Sequence, residues 1–277
     1  MEAIGYYNGK IEPLSSLMIP ALDRGFYFGD GVYDFVLVVN DKPFALDDHL
    51  ERFRRSAAAV KLGEPYGKNE LEAIMEDLCS RVDTPDKAVY MQLTRGAAPR
   101  NHVFPKDTKP SLFMFVKPCK IKDLYKKVRL VTTEDRRFHF CNVKTINLLL
   151  NVLAAEEAEE AGAHEAVFVR DGYVTEGAHS NVHILKNGAL ITHPLDELIL
   201  PGIARAHMIK QAKALGIPVI ERPFTPDELF SADEVLISST SGPIIAACEI
   251  DGRPVGGGDD AALSRLRDAI VGEIYAD

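Results

Sequence analysis

The sequence predicts an α+β fold made of two α/β domains with antiparallel-rich sheets. Hairpin turn signals recur between strand-like segments, and the helical patterns between them do not alternate regularly with the strands. The chain has 277 residues, 46% of them hydrophobic and 26% charged, which is enough for one large or two ordinary domains. These observations favour α+β over a doubly wound parallel sheet.

Turn pairs mark the predicted hairpins. Asparagine or aspartate before glycine is the strongest short-range hairpin signal, because both residues tolerate positive φ. Strand-like residues rich in Val, Ile, Phe or Tyr flank these turns, so antiparallel sheet is expected through the whole chain. The turn pairs are Asn8-Gly9, Asn40-Asp41, Asp171-Gly172, Asn187-Gly188 and Asp251-Gly252.

Apolar residues at helical spacing predict helices between the strands. Gly216 and Pro218 end one of them, and Thr225 is suited to cap another. The predicted helices cover residues 47–57, 69–82, 145–161, 203–215, 225–230 and 263–275.

A domain boundary is predicted near residue 120. The apolar strand 112–116 gives way there to the polar segment 117–123, which is typical of a linker. We therefore divide the chain into an N-terminal α/β domain, residues 1–120, and a C-terminal α/β domain, residues 121–277.

Charge and cysteine content exclude several classes of protein. A net charge of −9 leaves no broad basic surface, so neither nucleic acid nor an anionic membrane is an expected partner. The basic pair Arg136-Arg137 is interpreted as a solvated strand end. The four cysteines lie far apart without metal-ligand spacing, which favours reduced thiols. Without a leader pattern or an apolar run of about 18 residues, a cytoplasmic protein is expected.

Lys144 and Glu176 are the candidates for cofactor chemistry. Lys144 stands between apolar residues at the start of the predicted helix, and Glu176 lies on a predicted hairpin strand. An amine in apolar surroundings suits imine formation, and an acid can pair with the ring nitrogen of pyridoxal phosphate. Each residue alone is more typical of a surface charge, whereas the pair is informative.

Two segments suit phosphate binding. Pro201 and Gly202 open a predicted helix and leave its first amides free at the positive end of the helix dipole. The hydroxyl-rich turn Ser238–Gly242 follows a buried strand. Either segment alone is weak evidence, because a Ser/Thr cluster after a strand is usually an ordinary turn.

A set of motifs in a fixed order spans nearly the whole chain. They are Asp23-Arg24-Gly25, Phe28-Gly29-Asp30-Gly31-Val32-Tyr33, His49-Leu50-Glu51-Arg52, Lys144-Thr145-Ile146-Asn147, Thr175-Glu176-Gly177 with Ser180-Asn181, Leu200-Pro201-Gly202-Ile203 and Ser239-Thr240. Together they resemble the fold-type IV pyridoxal-phosphate aminotransferases. The resemblance implies that the C-terminal domain binds pyridoxal 5'-phosphate.

The resemblance also implies roles for single residues. Lys144 would be the imine lysine and proton carrier, Glu176 the partner of the pyridine nitrogen, and Arg52 the phosphate arginine. The phosphate site would be completed by Ile203, Ala204, Ser239 and Thr240. Three positions depart from the family pattern: Ala204 replaces a hydroxyl-bearing threonine, His179 a small residue, and Gly242-Pro243 the usual pair.

The segment around Arg100 and His102 resembles the carboxylate-binding loop of D-amino acid aminotransferases, with Tyr33 as the third matching residue. Arginine offers a bidentate fork to a carboxylate, and His and Tyr add directional donors. The resemblance implies that this loop reaches the active site of a partner subunit in a homodimer. It implies amino transfer from a D-amino acid, such as D-alanine or D-glutamate, to a 2-oxo acid such as 2-oxoglutarate.

Other functions remain open at this point. A branched-chain L-amino acid or (R)-amine transaminase and an aminodeoxychorismate lyase share the same fold and cofactor. An inert cofactor-binding or scaffolding dimer is a further alternative, against which the intact Lys144, Glu176 and Arg52 argue.

Overall fold

The computed structural model describes residues 2–276 and divides into two compact units, each built on its own sheet. The first unit holds the residues up to Lys120 together with Val143–Asn147. The second holds Ile121–Asn142 and the residues from Leu148 onward. The segment around Lys144 therefore belongs to the first unit, although its neighbours in sequence belong to the second. The division near residue 120 into two domains that fold independently stays a prediction.

The first unit is a six-stranded antiparallel sheet in the order β2-β1-β6-β5-β3-β4. Its strands are β1 Ile4–Tyr7, β2 Lys10–Pro13, β3 Gly31–Val39, β4 Lys42–Pro43, β5 Lys87–Thr94 and β6 Ser111–Pro118. Its helices are α1 Arg24–Phe28, α2 Leu46–Ala59 and α3 Lys68–Ser80. Apolar residues of α2 and α3, such as Phe53 and Leu78, pack with alternate residues of the central strands, such as Val36 and Met91. These contacts form the core of the unit.

The second unit is a nine-stranded mixed sheet in the order β12-β11-β10-β13-β14-β7-β8-β9, with β15 paired to β14. Its strands are β7 Val128–Glu134, β8 Glu165–Arg170, β9 Tyr173–Gly177, β10 Asn181–Lys186, β11 Ala189–Thr192, β12 Val219–Glu221, β13 Glu234–Ser238, β14 Ile245–Ile250 and β15 Arg253–Pro254. Its helices are α4 Leu149–Glu160, α5 Ile203–Ala214, α6 Pro226–Phe230 and α7 Asp260–Ile274.

The hairpin predictions and the expectation of antiparallel-rich sheets are confirmed, and parallel pairing occurs as well. Each predicted turn joins two paired antiparallel strands, and its asparagine or aspartate adopts positive φ. Strand β7, however, runs parallel to β8 and β14, and β11 runs parallel to β12. Parallel neighbours need long crossovers, here through α4 and α5, which no turn signal can reveal.

The predicted helices are present, with two shifted starts. The helix expected from Leu263 begins three residues earlier, at Asp260. The helix expected from Thr145 begins at Leu149, because Thr145 and Ile146 are hydrogen-bonded to β3 of the first unit instead. Thr145 forms a bridge to Val32, and the Ile146 amide donates to the Gly31 carbonyl at 3.1 Å. Helix α1, which the apolar pattern did not predict, is a single short turn capped by Asp23. Among residues 2–276, no helix is long and apolar enough to cross a bilayer.

Candidate active site

Lys144 lies on a non-helical segment that is hydrogen-bonded to strand β3 and helix α2. Its carbonyl accepts a hydrogen bond from the Tyr33 amide at 3.0 Å, and its amide donates to the Ser56 hydroxyl at 3.2 Å. The side chain is half-buried, and Nζ lies 4.2 Å from the centroid of the Tyr33 ring. The backbone on which the amine is mounted is therefore fixed by two neighbouring elements, and the amine contacts the face of an aromatic ring.

Arg52 belongs to a buried cluster with Asp34 and His49. Its Nε and Nη2 donate to the two Asp34 oxygens at 2.9 and 2.7 Å, and His49 Nδ1 lies 2.8 Å from Asp34 Oδ1. Burial opposes ionisation of Asp34, but Arg52 and His49 outweigh it and hold the pKa of this carboxyl well below its ordinary value. Sequence reasoning identified Arg52 but missed Asp34. An acid at a core-facing position of β3, between Val32 and Val36, was the available signal.

Arg100 and His102 lie on the exposed loop that follows β5. The Arg100 guanidinium is 5.0 Å from the centroid of the Phe28 ring, and the His102 ring is 5.1 Å from the same ring. Tyr33 lies elsewhere in this unit, on β3, stacked on Tyr90. The structure thus groups Arg100 with His102 around Phe28, but shows neither beside Tyr33 in the contacts of the described residues.

Glu176 is a buried acid of the second unit, at the end of β9. Its Oε1 accepts from Arg137 Nη1 at 2.5 Å, and its Oε2 accepts from Asn181 Nδ2 at 3.0 Å and from the Leu200 amide at 2.9 Å. Burial raises the pKa of the Glu176 carboxyl to about 7, although Arg137 acts in the opposite direction.

The prediction from the sequence that Arg137 is exposed to solvent is wrong. Arg137 was interpreted together with Arg136 as a solvated strand end, yet only Arg136 is exposed, with a side chain 72% accessible, while the Arg137 side chain is 6% accessible. Its partner Glu176 is 39 residues away in the chain. No local pattern distinguishes two adjacent arginines whose difference depends on a distant carboxylate.

The predicted phosphate-binding segments meet at Asn181. Gly202 precedes α5 without a side-chain cap, so Ile203 and Ala204 begin the helix with uncapped amides. Asn181 pairs with Ser238 across β10 and β13, and its Nδ2 donates to the Leu200 carbonyl at 2.9 Å. A Cβ at position 202 would lie 2.0 Å from Asn181 Oδ1, so only glycine fits there.

The hydroxyl turn that follows β13 is closed by its own backbone. The Ser239 amide donates to the Gly242 carbonyl at 2.9 Å, and the Gly242 amide donates back to the Ser239 carbonyl at 3.3 Å. Ser239 and Thr240 are half-buried within this turn. Because Asn181 lies opposite Ser238, the hydroxyls, the start of α5 and Glu176 lie at the same edge of the second sheet.

These donors fit pyridoxal 5'-phosphate. Uncapped helix amides and hydroxyls suit a phosphate, a buried carboxylate suits a basic ring nitrogen, and a lysine amine suits an aldehyde carbon. In the second unit, Glu176, Ile203, Ala204, Ser239 and Thr240 have this chemistry. In the first unit, Lys144 and Arg52 have it. No group of three metal-binding side chains occurs within residues 2–276.

Comparisons with known proteins agree with this donor set. The family profile described as amino-transferase class IV matches residues 31–250. The chain is 35% identical to D-alanine aminotransferase of Bacillus licheniformis over 274 residues, which covers 96% of this chain and 97% of that protein. It is 40% identical over 263 residues to D-alanine aminotransferase of Staphylococcus epidermidis, covering 94% of this chain and 93% of that protein.

Solved structures show the same fold. A branched-chain aminotransferase from Thermoproteus uzoniensis has a TM-score of 0.88 at 28% identity and covers 99% of this chain and 96% of its own. The branched-chain aminotransferase of Escherichia coli has a TM-score of 0.90 at 23% identity, with 98% and 94% coverage, and supports the fold alone. The chain therefore belongs to the class IV aminotransferases and is a transaminase that depends on pyridoxal 5'-phosphate.

Proposed function

We propose that this enzyme is a D-amino acid aminotransferase. It moves the amino group of a D-amino acid, such as D-alanine or D-glutamate, to a 2-oxo acid such as 2-oxoglutarate. The observation that carries this proposal is the similarity to D-alanine aminotransferases over nearly the full length of both chains. The loop that bears Arg100 and His102 supports it, because its side chains suit a substrate carboxylate.

Lys144 is proposed as the group that moves the proton. Pyridoxal phosphate, when bound, withdraws electrons from the substrate Cα. The Lys144 amine would remove the Cα proton as a general base and then, as an acid, deliver it to the former aldehyde carbon of the cofactor. Fixation of the Lys144 backbone by Tyr33 and Ser56 supports this role, because proton transfer requires a closely defined position.

The remaining predicted residues are proposed to hold the cofactor. Glu176 would pair with the ring nitrogen. Arg52 and the start of α5 would face the phosphate, with the Ser239 and Thr240 hydroxyls as further donors. Ala204 offers only its backbone amide where a threonine would add a hydroxyl. The burial of Glu176 and the uncapped start of α5 support these assignments.

Tyr33, Arg100 and His102 are proposed to bind the substrate carboxylate, with the loop supplied by a second copy of the chain. Exposed apolar side chains in both units support a homodimer, since monomers rarely expose several such residues. They include Phe26 and Met18 in the first unit, 85% and 82% exposed, and Leu149 and Val152 in the second, 71% and 60% exposed. A cytoplasmic location is proposed as well, and the free state of the cysteines supports it.

Half-reactions test the substrate proposal. The purified yellow enzyme is mixed with D- and L-alanine, D- and L-leucine, D-glutamate or one (R)-amine, and the long-wavelength cofactor absorbance is followed. We expect rapid loss of absorbance with the D-amino acids alone. Preference for L-leucine would instead support a branched-chain aminotransferase, the second candidate, which the similarity to the Thermoproteus uzoniensis enzyme favours.

Complementation tests the shared site. If the loop enters the partner's site, co-expressed Lys144→Ala and Arg100→Ala chains form mixed dimers with one intact site. Random pairing makes half of the dimers mixed, so about a quarter of wild-type activity should return. As a control, Lys144→Ala with Arg52→Ala should regain none, because both residues belong to the same unit of one chain. Inactive mixtures in both cases would contradict the shared site.

A further inference from the structure

We propose that Arg137 is a positioning residue that keeps Glu176 an anion and turns its Oε1 toward the cofactor ring nitrogen, with Asp135 fixing Arg137 in turn. This inference rests on the proposed role of Glu176. It goes beyond that role because it names the residues that set where the proton between Glu176 and the ring nitrogen lies.

The hydrogen bonds of Glu176 indicate which oxygen faces the ligand. A carboxylate oxygen has room for about two donors. The Oε2 atom already accepts from the Asn181 amide group and from the Leu200 backbone amide. The Oε1 atom accepts only from Arg137, at 2.5 Å, among the bonds of the described residues. The remaining acceptor position on Oε1 is therefore the one that suits a ring N–H.

Contacts other than the Glu176 bond also fix the position of the Arg137 guanidinium. Its Nε and Nη2 donate to the two Asp135 oxygens, each at 2.9 Å, and Nη2 also donates to the Leu198 carbonyl at 3.1 Å. The guanidinium lies 4.2 Å from the centroid of the Phe168 ring. Only Nη1 is directed at Glu176, and its position is set by these four contacts.

Asp135 is fixed by further contacts of its own. Its Oδ1 accepts from Arg170 Nη2 at 2.9 Å, and its Oδ2 accepts from the Thr175 hydroxyl at 3.0 Å. Thr175 directly precedes Glu176 on β9, so the hydroxyl that binds Asp135 and the acid that binds Arg137 lie on the same strand. Arg170, Asp135, Arg137 and Glu176 form a row of alternating charges in which every side chain is at most 8% accessible.

This row of charges influences whether the shared proton lies on the ring nitrogen or on the Glu176 carboxylate. The nearby Arg137 charge makes the Glu176 carboxylate a weaker base, which favours the proton on nitrogen. Asp135 offsets the repulsion that Arg137 would exert on a cationic ring farther away. Cys141 is the other titratable group close to this pair, and burial raises the pKa of its thiol, so it stays uncharged.

Nitrogen NMR of the holoenzyme tests the proposal directly. The protein is reconstituted with pyridoxal phosphate carrying ¹⁵N in the ring, because the ¹⁵N shift distinguishes protonated from neutral ring nitrogen without any substrate. In Arg137→Gln we expect the ratio of protonated to neutral nitrogen to fall by about 10- to 1000-fold, the loss of one neighbouring opposite charge. The wild type should show the protonated signal.

Two further variants distinguish the effect of the Arg137 charge from an effect of disturbed structure. Arg136→Gln removes the adjacent, exposed arginine, which pairs with the exposed Glu134, and should leave the ¹⁵N signal unchanged. Arg137→Lys keeps a cation beside Glu176 and should retain most of the protonated signal, even if Arg137→Gln folds poorly. An unchanged signal in Arg137→Gln, or a Lys variant as neutral as the Gln variant, would overturn the proposal.

Failure of the proposed function gives a different result. The D-alanine half-reaction reports on substrate and is independent of the ring signal. Activity with D-alanine together with an unprotonated wild-type ring would overturn the Arg137 inference and leave the substrate proposal standing. The opposite outcome is a wild-type ring nitrogen that is protonated, a signal that disappears in Arg137→Gln, and no activity with D-alanine. It would support the Arg137 inference and overturn the substrate proposal.

Discussion

Asp34 in the first unit and Glu176 in the second are both buried carboxylates that pair with an arginine, yet their pKa values shift in opposite directions. Asp34 in the first unit has its pKa lowered, whereas Glu176 in the second has its pKa raised to about 7. Burial acts on both groups in the same direction, so the cations around them account for the difference. Asp34 receives the whole fork of Arg52 and a bond from His49, while Glu176 receives a single N–H of Arg137.

The contrast explains which acid is available to a ligand. Arg52 directs Nε and Nη2 at Asp34, and His49 also contacts Asp34, so both Asp34 oxygens have partners. Arg137 directs its fork at Asp135 and a single N–H at Glu176, which leaves Glu176 Oε1 with an open acceptor position. A structural ion pair and a ligand-binding acid thus differ in how the arginine fork is shared, although the residue types are nearly the same.

The largest expected effect tests the division of roles between the units. Lys144→Ala removes the only amine proposed to move the proton, so turnover should fall at least about 1000-fold and the yellow colour should be lost. Turnover and the absorbance spectrum of the purified protein check this. Lys117→Ala, an exposed lysine of the same unit, should leave both unchanged. A coloured, active Lys144→Ala protein would contradict the assignment.

Asp34→Ala should destabilise the protein more than Glu176→Ala. Removing Asp34 leaves the buried Arg52 without its carboxylate, which should lower the free energy of unfolding by about 3–5 kcal/mol. Arg137 keeps Asp135 when Glu176 is removed, so about 1–2 kcal/mol is expected there. Urea unfolding of the cofactor-free variants measures both. Asp77→Ala breaks an exposed pair with Arg81 and should cost under about 1 kcal/mol. Equal losses for Asp34 and Glu176 would remove the contrast.

The pH dependence of stability should show the opposite signs of the two carboxylates. The Glu176 carboxyl titrates near pH 4.5 when unfolded and near 7 when folded, so the unfolded state loses its proton first as the pH rises. The free energy of unfolding of the cofactor-free protein should therefore fall by up to about 3 kcal/mol across this window. The Asp34 contribution is present above its ordinary pKa of 3.8 and is lost as the pH falls below it.

Glu176→Gln isolates that dependence. It should flatten the decline between about pH 4.5 and 7 in urea unfolding at several pH values, because no proton is released at position 176. Glu156→Gln, on the exposed side of α4, should keep the wild-type slope. A wild-type slope in Glu176→Gln would mean that another group causes the decline.

The smallest effect concerns the helix cap of α6. Thr225 Oγ1 accepts from the Glu228 amide at 3.2 Å, and Glu228 Oε2 accepts from the Thr225 amide at 3.1 Å, so the two form a capping box at α6. Thr225→Ala should lower the free energy of unfolding by about 1 kcal/mol without changing turnover. Thermal unfolding and the D-alanine assay measure the two quantities. A large loss of turnover would show that α6 influences the site.

Much of the fold was predictable because its signals are local. A hairpin turn depends on the φ that one or two residues tolerate, and an amphipathic helix on spacing within a few turns. The start of α4 was predicted at Thr145 because the apolar spacing continues to that residue. Pairing with β3, more than a hundred residues earlier in the chain, keeps Thr145 out of the helix instead.

The candidate site divides in the same way. Lys144, Glu176 and the segments around Gly202 and Ser239 were identifiable because each belongs to a short motif with its own chemistry. Asp34 and Arg137 were not, since their importance comes from partners that are distant in sequence. Asn181 belonged to a recognised motif, but its contacts with Glu176, Leu200 and Gly202 depend on how β10 lies in the sheet.

The sequence by itself determined the α+β class, the hairpin turns, the cofactor family and the lysine and acid expected to serve it. These follow from backbone preference and from residue chemistry within short segments. Only the tertiary structure decided that Arg137 is buried and Arg136 is not, that Lys144 belongs to the first unit, and that Glu176 keeps one acceptor position open. Those outcomes depend on burial and charge contributed by residues far apart in the chain, which a local pattern does not contain.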